Sequence, residues 1–96
     1  MPTYDVDARF WREFDRLAPE MQARFLLARD QFFADLVVRT FRPSLRVKRY
    51  QGDPGVWEMT WVPDGRALFR YGEELTPGSP HIVWLRIGTH DIFKSS

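Results

Sequence analysis

The 96-residue chain contains no cysteine. That excludes a disulfide framework, a thiolate nucleophile and a Cys-type zinc site, and it fits a reducing compartment such as the cytoplasm. There are only two histidines, His81 and His90. Neither stands with carboxylates at ligand spacing, so no metal site is expected. No phosphate-cradling glycine loop, Ser or Cys triad or cofactor motif occurs, so no cofactor is expected either. The longest apolar stretches, near Phe25–Ala28 and Phe32–Val38, are too short and too interrupted by charge to span a bilayer. The first ten residues, MPTYDVDARF, lack the apolar run of a signal peptide. Repeats, low-complexity segments and linkers are absent, so residues 1–96 are expected to form one domain.

What is present is charge in an uneven distribution. The formal net charge is +1, yet Arg39, Arg42, Arg46, Lys48 and Arg49 fall within eleven residues that hold no acid. Such a patch can meet phosphates, or it can be a solvated face with no partner.

Hydrophobic spacing gives the elements. Thr3–Val6 has the makings of a short strand. Asp5 or Asp7 can then cap a helix in which Phe10, Trp11, Phe14, Leu17 and Ala18 recur at helical spacing. Pro19 ends that helix and opens the next, where Glu20 suits the positive end of the dipole. Met21, Phe25, Ala28, Phe32 and Leu36 form its stripe, widened by Leu26, Phe33 and Val37. The pair is expected to form a helical hairpin, which Pro43 closes.

Three strand-like runs follow: Leu45–Tyr50, Val56–Val62 and Ala67–Tyr71. GDPG at 52–55 and PDG at 63–65 read as their turns, with the glycine of the second at positive φ. Period-two alternation sends Trp57, Met59 and Trp61 to a core face and Glu58 and Thr60 to the opposite one. In the first run it pairs Arg46 with Lys48 and Tyr50. Gly72–Pro80 reads as an irregular loop. A last strand follows over 82–87, broken by Gly88. Helices grouped before a mainly antiparallel sheet of four to five strands predict an α+β sandwich of two layers.

These pieces resemble the RelE/ParE superfamily of toxins from type II toxin–antitoxin pairs. The resemblance rests on Phe10-x-x-x-Phe14-x-x-Leu17-x-Pro19, on Leu45-Arg46-Val47-Lys48 followed by Gly52, and on Pro54-Gly55-Val56-Trp57-Glu58-Met59. It continues in Asp64-Gly65-Arg66 leading into Leu68-Phe69-Arg70-Tyr71. The ending Gly88-Thr89-His90-Asp91-Ile92-Phe93 looks most like that of the YafQ branch, one residue shorter. The resemblance implies a RelE-like fold and a metal-independent mRNA endoribonuclease that works on the ribosome in the cytoplasm, with the RNA 2′-OH as nucleophile. It implies a cognate antitoxin as partner in a hetero-oligomer. The ParE branch of the same superfamily instead inhibits DNA gyrase without cutting nucleic acid, and a catalytically degenerate, antitoxin-binding member is a third reading.

Cleavage by a 2′-OH needs a base, cations for the phosphate oxygens and an acid for the departing 5′-oxygen. Glu58 is the candidate base, Arg66 the phosphate clamp and His90 the acid, since an unperturbed imidazole titrates near ~6.5. Arg46 and Lys48 are candidates to position the RNA backbone, with Arg70 and Arg86 as further cations. Phe93 can stack on a base. Each has a plainer alternative. Glu58 can pair across the sheet with Arg46, Lys48 or Arg70. Arg66 can be a turn residue, Arg46 and Lys48 can be edge-strand charges that block aggregation, His90 can be a surface or satisfied histidine, and Phe93 can seal the edge of the core. His81 reads as structural or incidental. Many RelE-type nucleases carry lysine where Glu58 stands. A Glu58/His90 pair and electrostatic catalysis by arginines are the schemes left open.

Overall fold

Asp7 starts the first helix by placing its carboxylate on the backbone N–H of Arg9, 2.8 Å away. This is N-capping of an otherwise orphaned donor. Before it lies β1 (Thr3–Val6), and after it α1 (Ala8–Asp15) and α2 (Pro19–Val38). A 3-10 turn at Pro43–Leu45 leads to β2 (Lys48–Arg49), β3 (Trp57–Val62), β4 (Gly65–Tyr71) and β5 (His81–Thr89). The structure, a computed structural model, describes residues 2–89.

The five strands form one sheet in the order β1-β5-β4-β3-β2. β1 runs parallel to β5, and every other pairing is antiparallel. Both helices cover the same face. Phe10 of α1 and Phe25, Ala28, Phe32 and Leu36 of α2 are buried there with Met59, Trp61, Ala67, Phe69, Ile82, Trp84 and Ile87 of the sheet. Trp84 is the hub, with the rings of Phe10, Phe25, Phe32, Phe33 and Phe69 all between 5.3 and 6.2 Å from its own. Offset and edge-to-face rings at such separations add to the burial energy. The core is therefore an aromatic layer, and the α+β two-layer architecture is the expected one.

Several sequence expectations change. The run Leu45–Tyr50 is not one strand. Pro43 seeds a 3-10 turn that ends on Arg46 at φ 46°. This turn drops Leu45 into the core, and only Lys48 and Arg49 pair with β3. Arg46 therefore stands at a turn cap and not on the strand face shared with Lys48. Gly65 is not at positive φ; it lies inside β4. Its requirement is space, because a Cβ would meet Val62 Cγ2 at 2.5 Å and the Trp61 ring at 2.7 Å. The positive φ of that region belongs to Gly55, at 85°. Gly88 does not break the last strand but pairs with Arg66 within it. The α2 stripe is narrower than its spacing suggests, since Leu26 and Val37 are exposed. Ala18 caps α2 instead of extending α1.

Candidate functional site

The face without helices is read from the ladder. Lys48, Glu58, Leu68 and Arg86 stand in one transverse row, each the register partner of the next. Thr60, Arg66 and Gly88 form the adjacent row. Glu58 and Arg66 are thus diagonal neighbours, within reach of long side chains. The Glu58 carboxylate sits 3.7 Å from Arg66 Nε and 3.8 Å from Lys48 Nζ. Its side chain is only 16% exposed, whereas that of Lys48 is 70% exposed. Leu68, between Glu58 and Arg86, is 5% exposed although it lies outside the cluster beneath the helices. An apolar floor beside two opposite charges strengthens their field.

Arg66 is held from both sides. Its Nη1 donates to the carbonyls of Pro63 and Gly65 at 3.1 and 3.0 Å, while Nε faces Glu58. The β3–β4 turn thus aims the guanidinium across the open face, and Nη2 has no protein partner among the described residues. A planar fork with one corner unused suits a phosphate oxygen.

Other candidates are placed differently. Arg86 is engaged: its Nη2 donates to Glu13 Oε2 at 2.7 Å and its Nε at 3.2 Å. The backbone N–H of Ile87 donates to Glu13 Oε1 at 3.2 Å. β1 ends beside Trp84, so Glu13 closes the edge of β5 that β1 leaves uncovered, and Arg86 locks α1 to the sheet. Arg70 is exposed opposite Val83, and Arg46 is exposed at its cap. Neither has an acidic partner among the described residues. His90 and Phe93 lie outside the described residues.

The basic segment is less uniform than its sequence. Arg42 grips Asp35 through Nε and Nη2 at 2.8 and 2.9 Å and adds its backbone N–H at 2.9 Å. The Arg42 side-chain and backbone hydrogen bonds hold the Asp35 carboxyl down at about 2, against the opposing effect of burial, and the same contact raises Arg42. Arg49 lies over the Trp57 ring at 5.3 Å, a cation–π contact. His81 is structural and not incidental. It is buried on β5, with Nδ1 2.6 Å from Thr3 Oγ1 and Nε2 3.0 Å from Asp5 Oδ2. It fastens β1, a strand of four residues, to the sheet.

Glu13 and Asp35 were not singled out from sequence. The signal was there: each is a carboxylate at helical spacing from the buried phenylalanines of its own helix, Phe10 and Phe32, where an unpaired charge is costly. Among the described residues no group of three or more His, Asp or Glu is placed to hold a metal ion. None of their helices is long and apolar enough to cross a membrane.

The arrangement is the RelE-like fold of bacterial and archaeal toxins. A chain of the E. coli DinJ-YafQ toxin–antitoxin complex matches with TM-score 0.70 at 12% identity, over 95% of this chain and 94% of that one. A copper-bound mutant toxin from Helicobacter pylori matches with TM-score 0.66 at 16% identity, over 96% and 98%. The RelB-RelE antitoxin–toxin complex from Methanococcus jannaschii matches with TM-score 0.65 at 11% identity, over 95% of each chain. No family model matches the sequence, and no curated protein does. The likeness is one of fold, spanning nearly the whole of each chain.

Proposed function

We propose that this protein is the toxin of a toxin–antitoxin pair and a metal-independent endoribonuclease acting on mRNA at the ribosome. The observation that carries the reading is Glu58, a poorly exposed carboxylate held between Arg66 and Lys48 on the sheet face the helices leave open. In this scheme Glu58 accepts the proton of the 2′-OH, whose oxygen attacks the adjacent phosphorus. The P–O5′ bond breaks and leaves a 2′,3′-cyclic phosphate. His90 delivers a proton to the departing 5′-oxygen. Arg66 holds the charge that grows on the phosphate oxygens, where preorganised donors are most effective. Lys48, Arg46 and Arg70 steer the backbone and Phe93 stacks on a base, whereas Arg86 serves mainly to anchor α1. The partner is a cognate antitoxin, in keeping with the antitoxin-bound state of the two complexes of like fold, and the setting is the cytoplasm.

The test is mRNA cleavage on translating ribosomes. Arg66→Ala and Glu58→Gln are each expected to lower cleavage by ~10²–10³-fold at unchanged folding, and His90→Ala by a similar factor. Equal cleavage by wild type and variants removes the assignment. Intact mRNA alongside blocked gyrase supercoiling replaces it with a ParE-like activity.

A further inference from the structure

A second site lies at the opposite end of β4. Tyr71 is five residues along that strand from Arg66, about 17 Å at ~3.4 Å per residue. There the C-terminus of α2, Phe41 and the 72–80 loop line an open cleft of about 360 Å³, a volume typical of small-ligand sites. Leu36 and Phe41 give it an apolar floor, Tyr71 a wall, and Arg39 and Glu74 its charged rim.

Its aromatic parts are packed against neighbouring rings. Phe41 stacks on buried Phe32 at 5.2 Å and 13°. Tyr71 is fixed edge-on by Trp57 at 6.0 Å and by Phe69 at 5.9 Å, yet remains exposed. Arg39 is the unusual member. It occupies the left-handed cap of α2 at φ 61°, a position glycine fills without strain. An arginine there carries a backbone cost that its side chain does not recover inside the protein. Among the described residues its guanidinium has no acidic partner, and it also lines an adjoining cavity of about 160 Å³. Glu74 is oriented by the Gly78 N–H, 2.9 Å from Oε1, which leaves most of its acceptor capacity unused.

We propose that this cleft binds a guanine nucleotide, with the base against Tyr71 and Phe41, the Watson–Crick edge on Glu74 and the phosphate on Arg39. Guanine alone among the RNA bases offers two adjacent N–H donors, N1–H and N2–H, to one carboxylate. Adenine turns an acceptor, N1, toward the same oxygens. Stacking holds any base, so the carboxylate sets the choice and the guanidinium fork supplies the phosphate contact. The inference goes beyond the RNA-cleaving reading, because Tyr71 packs on Phe69 on the helix-covered face, opposite to the face that carries Glu58 and Arg66.

Calorimetric titration of the full chain with GMP, AMP and inorganic phosphate tests it without any cleavage readout, so failure of the nuclease scheme leaves the result interpretable. GMP is expected to bind at least ~10-fold more tightly than AMP, the worth of a charge-assisted hydrogen bond, and phosphate alone more weakly than either. Glu74→Gln is expected to bring GMP and AMP to parity. Arg39→Gly is expected to lose ~10-fold or more in GMP affinity while its thermal midpoint stays equal or rises, since glycine relieves the strained cap. A non-cleavable 2′-O-methyl hexamer carrying one G identifies the source: tighter binding than GMP marks an RNA nucleotide, equal binding a mononucleotide, and both sustain the pocket. Equal affinity for GMP and AMP, absence of GMP binding at millimolar concentration, or wild-type binding by Arg39→Gly overturns it.

Discussion

Replacing Glu13 with alanine tests whether Arg86 is an anchor. The substitution removes the acceptor for two guanidinium donors and for the Ile87 N–H. Side-chain exposures of 17% for Arg86 and 14% for Glu13 place the pair where water compensates poorly. A charge-assisted hydrogen bond contributes about 1.5–3 kcal/mol, and a stranded amide costs about 1–3 kcal/mol. Partial solvent access lowers both, so Glu13→Ala is expected to cost about 3 kcal/mol. A chain of this size holds about 5–14 kcal/mol, and at ~4–8 °C per kcal/mol the thermal midpoint falls by roughly 12–24 °C. Glu13→Gln keeps an acceptor for Ile87 and is expected to cost about half as much. The assay is urea unfolding of Glu13→Ala, Arg86→Ala and the double variant, with an expected coupling of about 1.5–2.5 kcal/mol. Additive effects, or a Glu13→Ala cost below about 0.5 kcal/mol, refute the reasoning. In that case Arg86 is not the anchor of α1.

Asp35 sets an acid limit. Its carboxyl is lowered from 3.8 to about 2 by Arg42, so the unfolded chain takes up this proton first. The stabilisation is complete above pH ~4 and is lost as pH falls toward 2. Urea midpoints of the wild type should fall more steeply than those of Asp35→Asn over that window, and parallel curves count against the pair. Gly65→Ala should cost about 1–3 kcal/mol through overpacking against Trp61 and Val62. Gly55→Ala, with nothing within 4 Å of its Cβ but φ at 85°, should cost only about 1–2 kcal/mol of backbone strain. A Gly65→Ala midpoint at or above wild type contradicts the contact.

The two helices and the β3–β4 hairpin were legible because their apolar positions repeat at 3.6 and 2.0 residues over whole elements. Phe25, Ala28, Phe32 and Leu36 are buried as their spacing requires, and Met59 and Trp61 turn inward away from Glu58. The same alternation brought Glu58 and Arg66 to one face. It failed over 45–50, where Pro43 imposed a turn and a left-handed Arg46 that no period-two pattern registers. Gly65 was misread for a related reason, since turn chemistry is local whereas the need for a glycine there comes from the packed Trp61 ring. The parallel pairing of β1 with β5 was invisible, as its tie runs through His81 to Thr3 and Asp5 across more than seventy residues.

Charge counting along the chain is the weakest of these readings, and the 39–49 segment shows why. Its five cations face no acid in sequence, yet Arg42 is closed on Asp35 at hydrogen-bond distance and Arg49 covers Trp57. Phosphate contact therefore falls to cations without such partners, and the candidates differ in a measurable way. Each neutralised phosphate adds about 0.7 to the slope of log affinity against log salt for a single strand. Arg46→Ala should lower that slope by about 0.7, whereas Arg42→Ala should leave it unchanged even where it lowers stability. The measurement is binding of a short single-stranded RNA between low and physiological salt, with each variant held well below its unfolding midpoint. Equal losses of slope for the two variants would mean that the Asp35 contact opens when RNA binds, and that ion pairs of the free protein do not decide which arginines meet phosphate.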